Sequence, residues 1–329
     1  MVRGGNGRVY AFDYLKAVAI VAVVFTHAGG DDWRRTGAFF AFFLSKGWTV
    51  FHVPSFLFVS GFLYASPTGI DAGVVWARFM RVLVPYLVAS IAAQLAGVTG
   101  ADNLGEVVFQ LVTASSVGVY YYIFLFAICV LLMWPLSRLG RRAVLALWCM
   151  YVVYSVSVLI DPALAMVDSL FWTLRDPLQL FSFGFFLSGW LSALWLREIS
   201  TFARRHRQLT TTGCVMLAGF GLALSSQELP FTMMSFDRAV YTFGVVGLFV
   251  IFAPQRPAGV VVRFLSDATL AIYLYHVIFQ MLTRPLTAAL PEGLQLVAQV
   301  LIGLGGASFV VLLSRTLLGA TRARRWVGT

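Results

Sequence analysis

The chain has 329 residues, of which 60% are hydrophobic and only 12% are charged. Soluble domains carry about 25% charged residues, so this composition excludes an ordinary soluble enzyme. The net charge of +10 would suit a nucleic-acid-binding protein, but the charges are arranged as in the loops of a membrane protein, and we expect no nucleic-acid partner.

Apolar runs of about 20 residues recur along the sequence and predict an all-α, polytopic bundle of about ten transmembrane helices. We expect one domain over residues 1–329. The first run lacks an A-x-A-like cleavage site and carries Asp13 and Lys16, which favours a retained span over a signal peptide. Shorter runs at 37–46 and 104–116 predict interfacial or re-entrant helices. The predicted spans are 10–28, 48–66, 79–97, 119–137, 143–160, 177–195, 209–225, 238–254, 268–285 and 295–315.

Loop charges indicate the orientation of these spans. The loops on the side of the amino terminus hold most of the 24 basic residues and few of the 14 acidic ones. Basic residues mark the cytoplasmic side, so both termini are predicted to be cytoplasmic and the protein to be integral to the plasma membrane.

The first span, FDYLKAVAIVAVVFTH, contains three ionisable side chains, Asp13, Lys16 and His27. Ionisable groups inside a membrane are costly and usually functional. Asp13 and Lys16 are three residues apart, close enough to pair. Lys16 and His27 lie about 20° apart around the helix and roughly 16 Å apart along it. Imidazole titrates near neutral pH, so His27 is a candidate general base at the outer end of this face. The alternative is an interfacial charge pair and a histidine that merely ends the span.

The second span, FHVPSFLFVSGF, places His52 near its outer end, in the same predicted leaflet as His27. A hydrogen-bonded packing role for His52 is the alternative to a shared site. Pro54 is a candidate kink, and Ser60 with Gly61 would permit close helix packing.

Two further patterns carry polar groups at helical spacing. RFMRVLVPY places Arg78 and Arg81 three residues apart at the predicted cytoplasmic end of the third span, where a guanidinium pair suits phosphate. The excess of basic residues on the cytoplasmic side of membrane proteins would by itself also place arginines at this end of the span. DATLAIYLYH places Tyr273 and His276 three residues apart in the ninth span.

Other kinds of site have no support in the sequence. There is no glycine-rich phosphate loop, no GxSxG element and no cluster of metal ligands, and the three cysteines fall inside apolar runs. We therefore expect neither a metal site nor a disulfide framework.

Together these motifs resemble the acyltransferase-3 family of integral membrane O-acyltransferases. That family has a basic residue about ten positions before a histidine in its first span, an SGF-type element, R-x-x-R followed by P-Y, and a late Y-x-x-H-like element. The residues that carry the resemblance are Lys16, His27, Ser60, Gly61, Phe62, Arg78, Arg81, Pro85, Tyr86, Tyr273 and His276.

Two details point to one branch of that family. The family more often has arginine where this chain has Lys16. The fucose 4-O-acetylase-like branch has a D-x-x-K opening and a phrase similar to the one around His52. The motifs are concentrated in residues 8–90 and 266–280, and the middle of the chain matches only in the spacing of its spans.

The resemblance implies transfer of an acyl group, with acetyl expected, from cytosolic acetyl-CoA or another acyl-CoA to a hydroxyl of an extracytoplasmic or lipid-linked carbohydrate. His27 would be the general base, and Arg78 and Arg81 would bind the CoA phosphates. Lys16 would orient the site or neutralise donor phosphate, with Asp13 holding it. The acyl group would pass to the acceptor either directly or through an acyl-His27 intermediate. The expected partners are the acyl-CoA, a carbohydrate or glycolipid acceptor and membrane lipids.

The acceptor pocket would be lined by His52, Ser60, Tyr273 and His276. Aromatic residues near the predicted outer face are candidates for stacking on sugar rings or for an interfacial belt. They are Trp33, Trp48, Tyr120, Tyr121, Tyr122 and Trp172.

Two other functions fit the residues. A transporter or flippase of a glycan or lipid-linked sugar would also have about ten spans with intramembrane charges. It would leave unexplained the basic pair on one side and the histidines on the other. O-acylation of a small molecule or a lipid is the third possibility.

Overall fold

The computed structural model describes residues 9–29, 47–66, 68–160, 178–225, 234–253 and 256–329. The regular elements in these ranges are helices, which confirms the all-α prediction. The short helix predicted at 37–46 lies outside the described residues, as do Trp33 and Trp172. The α-helices are α1 (Tyr10–Ala28), α2 (His52–Tyr64), α3 (Ala72–Leu95), α4 (Leu104–Thr113), α5 (Tyr121–Leu136), α6 (Arg141–Ile160), α7 (Leu178–Leu194), α8 (Leu196–Arg205), α9 (Arg207–Ser225), α10 (Met234–Phe252), α11 (Val260–Asp267), α12 (Thr269–Thr287) and α13 (Glu292–Trp326).

Several of these helices have the length and composition of membrane spans. Within the described ranges four helical segments qualify, and α11 with α12 would make a fifth if this pair, bent by 80°, is one span. An all-helical fold with several candidate membrane spans is therefore confirmed, while the number of about ten spans and the cytoplasmic termini stay predictions. The four segments are Tyr10–Ala28, Ala72–Leu95, Leu104–Leu136 and Glu292–Trp326.

Local chemistry explains where helices begin and end. The side chain of Asn103 accepts a hydrogen bond from the backbone N–H of Glu106 at 3.0 Å, which caps the start of α4. Pro54 lies in the first turn of α2 rather than in its interior, a position that tolerates proline. In α13, Gly319 has φ +75°, and the helix breaks there because glycine adopts this conformation without steric penalty.

The described residues form two compact units. The first unit contains α2 and α6 to α10. It also contains the part of α1 up to Leu15 and the part of α5 from Cys129 onward. The second unit contains α1 from Lys16 onward, α4, α11 to α13, most of α3 and the first half of α5. The prediction of one domain stays a prediction.

The first unit depends on a close approach between α2 and α7. A Cβ atom added to Gly61 would overlap the carbonyl oxygen of Phe186, and one added to Gly189 would overlap that of Phe58. Each helix thus supplies the glycine that admits the other's backbone, the packing that small residues permit in membranes. The structure therefore shows why glycine follows Ser60 in the second predicted span.

Replacing Gly61 or Gly189 with valine is expected to destabilise the protein by about 3 kcal/mol, at the upper end of overpacking effects, because the added atoms meet backbone that cannot rotate away. Thermal unfolding in detergent, followed by the loss of monodisperse protein, measures this. The matched control is Gly219→Val, since a Cβ at that α9 position meets nothing within 4 Å. Equal unfolding temperatures for the three variants would contradict this account of the α2–α7 contact.

Candidate functional site

The predicted site residues are divided between the two units. The first unit contains Asp13, His52 and Ser60. The second unit contains Lys16, His27, Arg78, Arg81, Tyr273 and His276. A pocket shared by His27 and His52, and the pairing of Asp13 with Lys16, would each involve residues of both units, and they stay predictions.

The structure brings two of the predicted histidines together in the second unit. The ring centroids of His27, at the end of α1, and His276, in the middle of α12, are 5.6 Å apart and the rings are tilted by 45°. His276 is fully buried, whereas His27 is half-buried. The pair therefore has one imidazole that a substrate can approach and one that is held inside the protein.

The hydrogen bonds of His276 determine its tautomer. Its Nδ1 lies 3.0 Å from the carbonyl oxygen of Ile272 and 2.8 Å from that of Tyr273. Carbonyl oxygens only accept hydrogen bonds, so Nδ1 carries the proton. In the neutral ring, Nε2 is then the basic nitrogen, and the backbone of α12 fixes the orientation of the imidazole.

One turn beyond His276, two buried glutamines link α12 to its neighbours. Gln280 Nε2 donates to the carbonyl oxygens of Val24 at 3.0 Å and Gln299 at 3.2 Å. Gln299 Nε2 in turn donates to Thr287 Oγ1 at 2.6 Å. Because Val24 lies one turn before His27, these bonds fix the carboxyl end of α1 against α12 and α13.

Arg284 adds a further link at the same end of α1. Its Nη2 donates to the carbonyl oxygen of His27 at 3.4 Å. The contact is to the backbone carbonyl of His27 and not to its imidazole. It also places a cation within the last turn of α1, where it interacts favourably with the helix dipole.

Lys16 has a structural role that its sequence position did not reveal. Its Nζ donates to the carbonyl oxygen of Ser266 at 3.2 Å, in the last turn of α11. A cation at the carboxyl end of a helix satisfies carbonyls that have no helical partner. Lys16 therefore supports the bend between α11 and α12, and thereby the helix that carries His276.

Tyr273 takes part in a reciprocal pair of hydrogen bonds. Its hydroxyl donates to the carbonyl oxygen of Val119, and the hydroxyl of Tyr120 donates to that of Leu274 at 2.6 Å. Both rings are buried. These bonds join α12 to the 3₁₀ turn Gly118–Tyr120. Tyr273 therefore holds α12 against this turn. The prediction that Tyr120 stacks on sugar rings or lies in an aromatic belt is wrong, because its ring is enclosed in the protein core.

The two arginines predicted to bind phosphate differ in their exposure on α3. Arg78 is half-buried and Arg81 is exposed. The Pro-Tyr element that follows them positions this helix, since the hydroxyl of Tyr86 donates to the carbonyl oxygen of Leu111 at 2.8 Å, in α4. The pair is accessible enough to meet a soluble ligand.

In the first unit the remaining predicted residues lie on α1 and α2. Asp13 is buried at 4% exposure. His52 is the first residue of α2 and is half-buried, as is Ser60, next to the close contact at Gly61.

The sequence interpretation missed Gln280, Gln299 and Arg284. The two glutamines could have been found from the sequence, because an amide side chain inside an apolar span is expected to face the bundle interior or a cavity. Gln280 is four residues after His276, one helical turn away on the same face.

Comparisons with known proteins bear on this arrangement. A family model described as an acyltransferase domain matches residues 9–316. The nodulation protein NolL of Sinorhizobium fredii (strain NBRC 101917 / NGR234) is 28% identical over 220 residues, which are 65% of this chain and 57% of NolL. The chain thus spans little more than half of that relative. No solved structure matches.

Proposed function

Because this chain belongs to the acyltransferase family, we propose that it is a membrane O-acyltransferase that moves an acyl group, with acetyl expected, from cytosolic acyl-CoA to a hydroxyl of an extracytoplasmic or lipid-linked carbohydrate. Membership confirms the resemblance carried by the motifs. The fucose 4-O-acetylase-like branch is part of the proposal and rests on the D-x-x-K opening and the phrase around His52. The protein family favours this function over a transporter.

The observation that carries the proposal is the pair of His27 and His276. His27 removes the proton from the acceptor hydroxyl as its oxygen attacks the thioester carbonyl. The new O–C bond forms, the C–S bond breaks, and His27 returns the proton to the CoA thiolate, so the products are an ester and free CoA. His276, whose ring is fixed by the backbone of α12, orients His27 and stabilises the imidazolium that forms.

The basic residues on α3 support a binding site for the acyl-CoA donor on the side of the membrane opposite to His27. Arg78 and Arg81 lie on the predicted cytoplasmic side, where acyl-CoA is found, and bind its phosphates. The roughly 16 Å between the levels of Lys16 and His27 along an ideal helix is a distance that an extended pantetheine arm can thread. Lys16 holds the bend between α11 and α12, and Asp13 supports Lys16. His52 and Ser60 belong to the proposed acceptor pocket.

Replacing both Arg78 and Arg81 with glutamine is expected to raise the Kd for acetyl-CoA at least tenfold, since each arginine–phosphate contact is a charge-assisted hydrogen bond. Calorimetry on the detergent-purified protein measures the Kd. Wild-type protein is expected to bind in the micromolar range.

The matched control is Arg142→Gln, which removes an exposed arginine near the start of α6. It is expected to leave the Kd unchanged. Equal affinities in the wild type and the double variant would refute the assignment of Arg78 and Arg81. Absence of wild-type binding at millimolar acetyl-CoA and at millimolar longer acyl-CoAs would refute the proposed donor and favour the transporter.

A further inference from the structure

The first unit contains a cavity of about 780 Å³ that involves none of the predicted catalytic residues. Its volume is in the range of pockets that enclose most of a small ligand. The walls come from α2 and α6 to α10 and are mainly apolar. Representative lining residues are Phe58, Leu191, Ile199, Phe243, Val246 and Val250.

The hydroxyl groups in the walls already have acceptors for their protons. Ser188 Oγ donates to the carbonyl oxygen of Gly184 at 2.7 Å and Ser192 Oγ to that of Ser188 at 2.7 Å. Thr210 Oγ1 donates to the carbonyl oxygen of His206 at 2.9 Å. The walls therefore offer few polar contacts and suit a hydrocarbon chain.

Two arginines supply the charge of this cavity. Arg204 lies in the last turn of α8 and Arg207 begins α9, and both line the cavity and are exposed. Within the described ranges neither guanidinium is paired with a carboxylate. An apolar cavity with two uncompensated cations matches a ligand with one anionic group and an apolar body.

The acidic residue of α8 does not neutralise these arginines. Glu198 Oε1 lies 2.8 Å from Arg141 Nη2, and the guanidinium of Arg141 is also 5.2 Å from the ring centre of Trp195. A hydrogen bond from its own backbone and then the one from Arg141 lower the pKa of Glu198, so it stays ionised and engaged with α6. The positive charge at Arg204 and Arg207 is therefore left for a ligand.

The position of α8 indicates the kind of ligand. This ten-residue helix has no buried residue, carries arginines at its end, and joins two long apolar helices. Such amphipathic helices lie in the membrane interface, and basic pockets between helices on the cytoplasmic side bind anionic lipid headgroups.

We propose that the cavity is a binding site for an anionic phospholipid, with the phosphate on Arg204 and Arg207 and an acyl chain between α7, α9 and α10. One phosphodiester matches two guanidiniums. Its lining residues do not include Arg78 or Arg81, the arginines proposed to bind the donor. It would stabilise the first unit in membranes that contain anionic lipid.

The test measures binding of phosphatidylglycerol to delipidated, detergent-purified protein by native mass spectrometry. We expect a 1:1 adduct whose Kd rises at least tenfold in Arg204→Gln/Arg207→Gln, because each arginine near an anionic headgroup contributes about 1 kcal/mol. Arg205→Gln is the matched control, since Arg205 is on the same helix but does not line the cavity, and its Kd should not change. Phosphatidylcholine should bind at least tenfold more weakly.

A second variant tests the apolar part of the site. Ala203→Trp fills space at the cavity wall while both arginines remain, and it should also weaken phosphatidylglycerol binding at least tenfold in protein that still elutes as a monodisperse peak. Equal Kd values for wild type and the double arginine variant would overturn the proposal. Equal binding of phosphatidylcholine, or preferential binding of palmitoyl-CoA, would overturn it as well.

Discussion

Replacing His27 with alanine is expected to lower kcat for acyl transfer by about 10²- to 10⁴-fold, the usual contribution of a positioned general base. The fold should persist, because Arg284 contacts the backbone carbonyl of His27 and not the imidazole. The Kd for acetyl-CoA should also be unchanged, since the proposed donor ligands lie on α3. The measurement is the release of free CoA that depends on acceptor, followed with a thiol reagent.

The matched control for His27 is His206→Ala. His206 is exposed at the end of α8, so its removal should leave kcat unchanged. Added imidazole should restore part of the activity of His27→Ala, because the missing group is half-buried and can be replaced from solution. A His27→Ala protein with wild-type kcat would rule out His27 as the base.

Replacing His276 with asparagine is expected to lower kcat by about 10²-fold while the protein remains folded. The asparagine amide can donate to the carbonyl oxygens of Ile272 and Tyr273 as Nδ1 does, but it provides no equivalent of the basic Nε2. The pH profile of kcat separates this effect from a structural one. If His276 stabilises protonated His27, the apparent pKa of the base in that profile should change in His276→Asn.

His276→Leu is the companion variant, since it removes both the basic nitrogen and the donor to the α12 backbone. It should lose stability as well as activity, because a fully buried group is replaced without its hydrogen bonds. A His276→Asn protein with wild-type kcat and an unchanged pH profile would reduce His276 to a packing residue.

The sequence was sufficient to locate most of the helices. The first predicted span, 10–28, coincides with Tyr10–Ala28, and the short helix predicted at 104–116 is Leu104–Thr113. Long apolar runs locate helices well because both the membrane and the core select against charge. The same signal did not locate α8, whose ten residues include four charges and follow the predicted end of the preceding span.

The candidate site was only partly predictable. Motif spacing identified His27 and His276 separately, but their proximity depends on how α1 and α12 pack, which residue spacing within one helix does not determine. The bond from Lys16 to Ser266 joins residues 250 positions apart. The burial of the Tyr120 ring was also unpredictable, because the sequence near the end of a span does not show whether an aromatic side chain faces lipid, water or the core.

Acyl transfer by inside-out membrane vesicles tests the central claim most directly. Vesicles from cells that express the wild type or His27→Ala are given radiolabelled acetyl-CoA, and alkali-labile label in the carbohydrate and glycolipid fraction is measured together with free CoA. We predict that the wild type transfers label to this fraction with one CoA released per ester formed, and that His27→Ala reduces both by about 10²-fold or more. Undiminished transfer by His27→Ala, or no transfer by the wild type above vesicles without the protein, would contradict the account.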